Sequence, residues 1–180
     1  MQNSVIVAEL MFDYAQMSVA EIGQQAQLLP AKLARWVAMN HPDNRTRKHI
    51  FRATGVPIGK DAVLNIHLSI ADNYESLVRI GERASIAQNV TIVADSNANN
   101  SVLLQTPQTQ PLMKKAPVLV GADSWIGAGV IVLPGVIIGE RSIIGAGSVL
   151  TRSVPSDAIY AGVPAQLIRR ISTTRGARQD

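Results

Sequence analysis

An aliphatic residue returns every six positions through most of the chain, and this spacing constrains the possible folds more than any other feature. From residue 120 onward the series is unbroken, whereas upstream it is interrupted. A small or β-branched side chain stands four positions after most of these residues, as at Ser124, Val130 and Ser142. The twelve aliphatic positions are Ile58, Leu64, Ile70, Ile80, Ile86, Ile92, Val120, Ile126, Val132, Ile138, Ile144 and Leu150.

A period of six matches neither the 3.6-residue turn of an α-helix nor the alternation of a long strand. Each hexad is therefore predicted to be a short strand followed by a corner, with the aliphatic residue pointing inward. Three strands close one triangular coil, and stacked coils pair each strand with its neighbours above and below. Twelve hexads predict a mainly β solenoid of about four coils. Corner glycines are expected to allow positive φ and close backbone contact at Gly121, Gly127, Gly139 and Gly145.

The composition fits one well-buried domain with a narrow interior. Of the 180 residues 47% are hydrophobic but only 4% are aromatic, so small and β-branched side chains must fill the core. The absence of cysteine excludes disulfides, cysteine-ligated metals and thiol catalysis. Because no apolar run is long enough for a membrane span and the N-terminus lacks the pattern of a secretion signal, we expect a cytoplasmic protein.

The net charge of +4 is modest, and four arginines gather near the C-terminus. This cluster is either a solvated tail or a site for a small polyanion, and it contains Arg169, Arg170, Arg175 and Arg178. Nucleic-acid binding is not expected, because no aromatic residues are interleaved with the basic ones.

The repeats suggest three parts in the chain. Residues 1–55 are predicted to form a helical cap over the first coil, with Asp43 capping a short basic helix and Trp36 in an apolar stripe. Residues 56–155 form the solenoid and residues 156–180 a C-terminal extension.

Two breaks interrupt the solenoid. The shorter one, at 73–78, is predicted to be a bulged corner. The longer one, at 96–117, contains three prolines and too little apolar periodicity for a helix. Loops of this length are usually functional or disordered, so we expect it to carry part of a binding face.

Two phrases in the C-terminal half point to a family. They are WIGAGVIVLPGVIIGERSIIGAGSVLTRSVP at 125–155 and AGVPAQLIRRI at 161–171. With the repeats, the chain resembles over residues 56–171 the hexapeptide-repeat acetyltransferases, in particular the sugar O-acetyltransferase branch that includes the galactoside and maltose acetyltransferases. The resemblance implies a left-handed parallel β-helix, a homotrimer with active sites between subunits, and a long loop reaching over the adjacent subunit. It also implies acetyl-CoA as acyl donor and a sugar as acceptor.

The resemblance places the coenzyme along the coils. Trp125 opens the coil that begins the shared motif. Ala128 and Ala146 are eighteen residues apart, which puts them on successive coils, and by resemblance they flank the pantetheine arm.

The resemblance also assigns residues to the coenzyme's phosphates. Thr151 and Arg152 match the polar and basic pair near them, and Arg169 matches one of two C-terminal arginines. Arginine suits phosphate through its charged, multi-donor fork. Gln166 stands in the place of the other arginine, which we expect to weaken phosphate binding.

The general base is the open question of the sequence, because acyl transfer to a hydroxyl usually needs one. Relatives supply a histidine just after the strand that matches residues 90–93. Here its place is held by Asp95 or Asn97, depending on how the loop is aligned. Asparagine cannot act as a base, and aspartate is a poor one unless burial raises its pKa.

Three histidines lie outside the loop. His41 and His49 belong to the helical segment and His67 to an early coil, and each favours a structural or surface role. His67 is the best catalytic alternative, because relatives bind the acceptor sugar against early coils, where Asp72 resembles an acidic residue. An amine acceptor is the other alternative, since a neutral amine can attack without an enzymic base.

Two rival functions follow from the same fold. Its zinc-dependent members use three histidines on neighbouring coils, an arrangement that this sequence lacks, so no metal is predicted. A catalytically impaired, acetyltransferase-like scaffold is the alternative to an enzyme, because the usual histidine is missing. The retained signatures favour an active enzyme.

Overall fold

The computed structural model describes residues 2–172, in which helices come first and a single-stranded β-helix follows. As predicted, Asp43 caps the last helix, and its carboxylate accepts a hydrogen bond from Thr46 N at 2.7 Å. No helix in this part of the chain is long and apolar enough to cross a bilayer. The helices are α1 (Gln2–Ala8), which continues into a π-helical turn (Glu9–Asp13), α2 (Val19–Leu28), α3 (Ala31–Asn40) and α4 (Asn44–Ala53).

Short parallel strands form the three faces of the β-helix. Face 1 contains β3 (Val78–Ile80), β8 (Val118–Val120) and β11 (Ile137–Ile138). Face 2 contains β1 (Val63–Leu64), β4 (Ser85–Ile86), β9 (Trp125–Ile126), β12 (Ile143–Ile144) and an antiparallel hairpin of β14 (Ala158–Gly162) and β15 (Ala165–Arg170). Face 3 contains β2 (Ser69–Ala71), β5 (Thr91–Val93), β10 (Ile131–Val132) and β13 (Val149–Leu150).

The strand register gives the length of one coil. Trp125 pairs with Ile143 on face 2 and Ile131 with Val149 on face 3, so strand partners are eighteen residues apart. An isolated bridge at Ile58 completes the first coil. The predicted left-handed parallel β-helix of about four coils is confirmed.

The interior is filled as the hexads predict. Ile126 and Ile144 are buried, and the small companion residues point inward as well. The buried Ser148 hydroxyl donates to Gly145 O at 2.6 Å, so this polar group is hydrogen-bonded inside the coil. The narrow interior therefore needs neither large rings nor unpaired polar atoms.

The corner glycines at the second hexad position differ from the expectation in one respect. They are Gly121, Gly127, Gly139 and Gly145, and positive φ was the wrong expectation for all four. The left-handed residue falls two positions later, as at Gly129 with φ +68°. Close approach is confirmed, because a Cβ on Gly127 would lie 2.6 Å from Ala146 N in the next coil.

Side chains of α4 satisfy the backbone at the open end of the first coil. Asn44 Oδ1 accepts from Leu64 N at 2.8 Å, and Arg47 Nε donates to Leu64 O at 2.8 Å. Arg52 Nη2 donates to Ile58 O at 2.7 Å. These edge groups on faces 1 and 2 are therefore not left unpaired, and α4 occupies the positions where another strand could pair with them.

The long break forms a hairpin at the corner between faces 3 and 1. At its base β6 (Asp95–Ser96) pairs with β7 (Lys114–Lys115), and two 3-10 turns lie beyond them. Val102 and Leu112 on these turns are more than three-quarters exposed. The subunit itself thus leaves apolar side chains of this loop uncovered.

Candidate active site

At the corner between faces 2 and 3, the stacked residue has a side chain in the first two coils and is glycine in the last two. The stacked residues of this corner, here called the glycine corner, have φ angles of 62°, 59°, 68° and 68° and are His67, Asn89, Gly129 and Gly147. Asn89 N donates to Ile66 O at 3.3 Å, Gly129 N to Gln88 O at 3.0 Å and Gly147 N to Ala128 O at 2.8 Å. One backbone conformation therefore repeats along all four coils.

The upper half of the glycine corner is an open track with hydrogen-bond donors. A Cβ on Gly129 or Gly147 would meet no atom within 4 Å, so no neighbour within the described residues requires glycine there. Ala128 and Ala146 stack on successive coils, as their spacing predicted, and within residues 2–172 the backbone N–H of neither has an acceptor. A narrow ligand with amide carbonyls fits such a surface.

The lower half of the glycine corner carries a polar pair. His67 Nδ1 lies 3.1 Å from Asn89 Oδ1, and both side chains are exposed to solvent or nearly so. Met39 O at the end of α3 accepts from His67 N at 2.7 Å. The structure thus places His67 in line with Gly129 and Gly147, each next to one of the two predicted alanines, a relation that the sequence interpretation did not foresee.

Trp125 lies on the outer side of face 2, just before the glycine corner. Its ring is 58% exposed, and its strand neighbours are Ser85 below and Ile143 above. A large flat side chain left open beside the track can contact a ligand lying in it.

The residues predicted to bind the coenzyme's phosphates follow β13, at the corner between faces 3 and 1. Thr151 and Arg152 line an open cavity of about 220 Å³ together with Tyr160 and Gln166. Arg169 is not among its lining residues; it lies further along β15 than Gln166, opposite Ile159. Arg175 and Arg178, the other members of the basic cluster, lie outside the described residues.

Asp95 and Asn97 stand together at the base of the long loop. Asn97 Nδ2 donates to Asp95 Oδ1 at 3.2 Å, and Asn97 Oδ1 accepts from Asn99 N at 2.8 Å. Opposite Asp95 lies Lys115, whose ammonium donates to Glu75, and this hydrogen bond raises the pKa of Lys115. Asp95 is only partly buried.

Within one subunit the candidate bases lie at different corners. Asp95 and Asn97 follow face 3 in the chain, whereas His67 precedes it, so the width of that face lies between the two groups. The structure therefore joins His67, but not the loop residues, to the glycine corner.

Asp72 is not available to a substrate, contrary to the expectation of an acceptor contact. Its carboxylate is fully buried and forms an ion pair with Arg35, which is 7% exposed, while Tyr74 N donates to Asp72 Oδ1 at 3.0 Å. Burying both charges with hydrogen bonds ties α3 to the first coil.

A cleft beside this ion pair contains residues that the sequence interpretation assigned to packing or overlooked. It lies between α3 and face 3 and has a volume of about 240 Å³. Trp36, expected in an apolar stripe, is 52% exposed here, and Tyr74 is 44% exposed with Arg35 Cζ 4.8 Å from its ring centre. Lys32 also lines this cleft. Because Met39, another lining residue, accepts a hydrogen bond from His67 N, the cleft lies close to His67.

The two remaining histidines belong to the helical segment. His41 is buried, its Nδ1 accepts from Asp43 N at 3.0 Å, and its Nε2 lies 2.9 Å from Leu10 O. Burial lowers the pKa of His41. Burial and neighbouring cations, among them Arg52, also lower the pKa of His49. Among the described residues no group of three or more histidine or acidic side chains is arranged to hold a metal ion.

Comparison with known sequences supports the family that these features suggest. The sequence profile described as "Bacterial transferase hexapeptide (six repeats)" matches residues 117–152. The galactoside O-acetyltransferase of Escherichia coli is 36% identical over 66% of this chain and 56% of its own length, so the chain spans little more than half of that relative. A putative acetyltransferase of Dictyostelium discoideum is 35% identical over 69% of this chain and 70% of its own length.

Comparison with solved structures agrees. A galactoside acetyltransferase in complex with coenzyme A superimposes with a TM-score of 0.63 at 27% identity, and the match covers 84% of each chain. The repeats, the glycine corner and these relatives lead to one conclusion. The chain belongs to the hexapeptide-repeat acetyltransferase family.

Proposed function

We propose that the protein is an acetyl-CoA-dependent acetyltransferase that transfers the acetyl group to a hydroxyl of a saccharide. The observation that carries this proposal is the glycine corner, where open space lies beside N–H donors that have no acceptor among residues 2–172. The pantetheine arm of coenzyme A is a thin chain whose amide carbonyls need donors, and Ala128 and Ala146 offer them. The related galactoside acetyltransferase was solved with coenzyme A, which supports the same donor here.

Thr151, Arg152 and Arg169 are the proposed partners of the coenzyme's phosphates, and Trp125 flanks the arm. Arginine forms strong, charge-assisted hydrogen bonds with phosphate oxygens. Gln166, beside Arg152, adds a neutral donor where relatives have a cation, so binding at this end is expected to be weaker.

A homotrimer accounts for the separation of the candidate residues within one subunit. In this arrangement the glycine corner of one subunit faces the corner between faces 3 and 1 of its neighbour. The neighbour's Arg152 and its long loop, with Asp95 and Asn97, would then approach the coenzyme. The uncovered Val102 and Leu112 support a loop that packs on another subunit.

The cleft between α3 and face 3 is the proposed acceptor site. Exposed aromatic rings suit the apolar faces of sugar rings, and Trp36 and Tyr74 offer two. Lys32 supplies a cation for a polar or acidic substituent. A reaction that consumes acetyl-CoA also fits the cytoplasmic location expected from the sequence.

A catalytically impaired scaffold is the second candidate, and the hydrogen bonding of the loop favours it. Asp95 shares a hydrogen bond with Asn97 at the place where relatives carry a histidine. A scaffold would keep the coenzyme track without turnover. If Asp95 is the base, Asp95→Asn should remove most of the chemical rate and leave coenzyme affinity intact; unchanged turnover would discard that role.

Calorimetric titration with acetyl-CoA, with the mass in solution recorded alongside, tests the proposal. Micromolar binding to a trimer, followed by release of free coenzyme with galactosides or maltose present, is the expected result. Because the protein has no cysteine, the released thiol can be measured without background from the protein. Binding without release would favour the scaffold, and no binding by an intact trimer would overturn the coenzyme assignment.

The phosphate contacts have their own test. Changing Arg152 and Arg169 together to Ala should weaken coenzyme A far more than dephospho-coenzyme A. Equal weakening of both ligands would exclude a role at the terminal phosphate.

A further inference from the structure

We propose that His67, held by Asn89, is the general base of the reaction and replaces the missing histidine of the loop. This inference rests on the proposed function. It moves the base from the long loop, at one corner of the β-helix, to the glycine corner along which the coenzyme is proposed to lie.

The first support is the orientation of the imidazole. Asn89 Oδ1 can only accept, so at 3.1 Å it takes the hydrogen of His67 Nδ1. In the neutral ring Nε2 then carries no proton and can accept one from a hydroxyl. A base oriented by a third group is the arrangement that nucleophilic and acid–base catalysis requires.

The second support is the position of the pair along the coils. Thr151 and Arg152, the proposed phosphate contacts, belong to the same coil as Gly147, and the proposed trimer brings the neighbour's pair to the glycine corner at that height, so the arm descends from there past Gly147 and Gly129. Coils stack at about 4.8 Å, and the next residue below Gly129 is Asn89, followed by His67. The open track therefore ends where the first reactive side chain begins, and the thioester at the end of the arm is expected there.

The third support is the neighbouring cleft. His67 N donates to Met39 O, and Met39 together with Ser69 lines the cleft proposed for the acceptor. A sugar held against Trp36 can thus present a hydroxyl toward the imidazole. Asp95 lies at the opposite edge of face 3, one coil above Asp72, and is therefore nearer the Tyr74 end of the cleft than the His67 end.

The step balances with these groups alone. The acceptor hydroxyl oxygen attacks the thioester carbonyl while its proton passes to His67 Nε2. The tetrahedral intermediate then expels the sulfur, and the imidazolium returns the proton to the leaving thiolate. The products are an O-acetyl ester and free coenzyme A, and Nε2 is again unprotonated.

The first experiment compares His67→Gln with Asp95→Asn in acetyl transfer from acetyl-CoA to methyl β-galactoside. His67→Gln should lower kcat by about 100-fold or more while the Kd for acetyl-CoA stays within about 2-fold, because only the base is lost. Asp95→Asn should lose less than about 10-fold. A turnover that survives His67→Gln, or a parallel loss of coenzyme affinity, would overturn the proposal.

Asn89 is a positioning residue, and the pH profile tests it. In Asn89→Asp a carboxylate beside the ring favours the charged imidazolium, so the acidic limb of the pH–rate profile should move to higher pH. Asn89→Ala should lower kcat with little change in KM. If Asn89 were merely structural, Asn89→Asp would leave the acidic limb of the pH–rate profile in place. That result would contradict the proposed contact between Asn89 and the imidazole.

A measurement without any acceptor separates this inference from the proposed function. The ¹⁵N spectrum of the labelled wild-type protein should show His67 protonated at Nδ1 and free at Nε2, with His67→Gln identifying the signals. Adding coenzyme A should shift the Nε2 signal. If calorimetry shows coenzyme binding but the signal stays fixed, His67 is not at the thioester; if coenzyme A does not bind, the proposed function itself is wrong.

Discussion

Two corners of the β-helix have the same backbone and opposite chemistry. At the corner between faces 1 and 2, here called the charged corner, φ lies between 52° and 57° for five stacked residues, Asp61, Arg83, Asp123, Arg141 and Asp157. Their hydrogen bonds to the coil before, such as Asp123 N to Glu82 O at 2.9 Å, repeat those of the glycine corner. Two bidentate ion pairs, Arg83 with Asp123 and Arg141 with Asp157, run along the stack.

This comparison separates what the fold requires from what a ligand requires. Arginine, aspartate, asparagine and histidine all adopt the left-handed corner conformation, so the fold does not need glycine there. A Cβ on Gly129 or Gly147 would have no close neighbour, and their backbone conformation is one that non-glycine residues adopt at the other corners. Their common property is the empty space that they leave for something else.

The largest expected effect concerns a glycine that the fold does require. A Cβ on Gly121, two positions before Asp123, would lie 2.6 Å from Glu140 N in the next coil. Gly121→Ala should therefore destabilise the protein by about 3 kcal/mol, measured by chemical denaturation. Gly147→Asn is the control, because the same corner conformation already holds Asn89; equal destabilisation by both would erase the distinction.

Filling the track should cost binding rather than folding. In Gly147→Asn the new side chain occupies the space proposed for the pantetheine arm, and the affinity for acetyl-CoA should fall by about 100-fold, close to 2.7 kcal/mol. The matched control is Asp123→Asn, which has the same backbone conformation at the charged corner. If both variants bind acetyl-CoA like the wild type, the glycine corner is not the coenzyme site.

A smaller effect, on the pH dependence of stability, is expected from His41. This residue is buried in the helical segment, unlike the exposed His67 of the glycine corner. Because burial lowers the pKa of His41 in the folded protein, the unfolded chain binds more protons below about pH 6.5. Stability should be complete above that pH and decline as the pH falls through the folded pKa. His49 acts in the same direction, so thermal unfolding is compared in wild type and His49→Asn. A melting temperature of His49→Asn that is constant between about pH 6.5 and 5 would contradict this role of His41.

The smallest expected effect is at the charged corner. Arg83 and Asp123 form a bidentate pair, but both are exposed, and such pairs contribute little in water. Arg83→Gln should shift the melting temperature by less than about 2 °C and leave coenzyme affinity unchanged. A large loss of either would mean that the charged corner is more than a solvated surface.

The fold could be predicted from the sequence because a coil is a local repeat. Once the aliphatic residues recur every six positions, three hexads close a coil, and Ala128 must stack on Ala146. The inward serines and the close-packed corner glycines follow from the same period. The positive φ was assigned to the wrong glycines because the period fixes spacing, not the conformation of each residue within a corner.

The site was less predictable because it depends on how separate segments meet. His67 could be recognised as a candidate, but its alignment with Asn89 and Gly129 needed the register across a 22-residue and a 40-residue coil, both lengthened by insertions. The exposure of Trp36 and the burial of Asp72 both follow from the docking of α3 on the first coil. The hexad period contains no information about how α3 docks on that coil.

The most direct test of the account is a crystal structure of the protein with acetyl-CoA. We expect the pantetheine arm in the glycine corner, with its amide carbonyls accepting from Ala128 N and Ala146 N and its thioester beside His67. An arm bound along the charged corner or face 1, or a thioester distant from His67, would contradict the central claim.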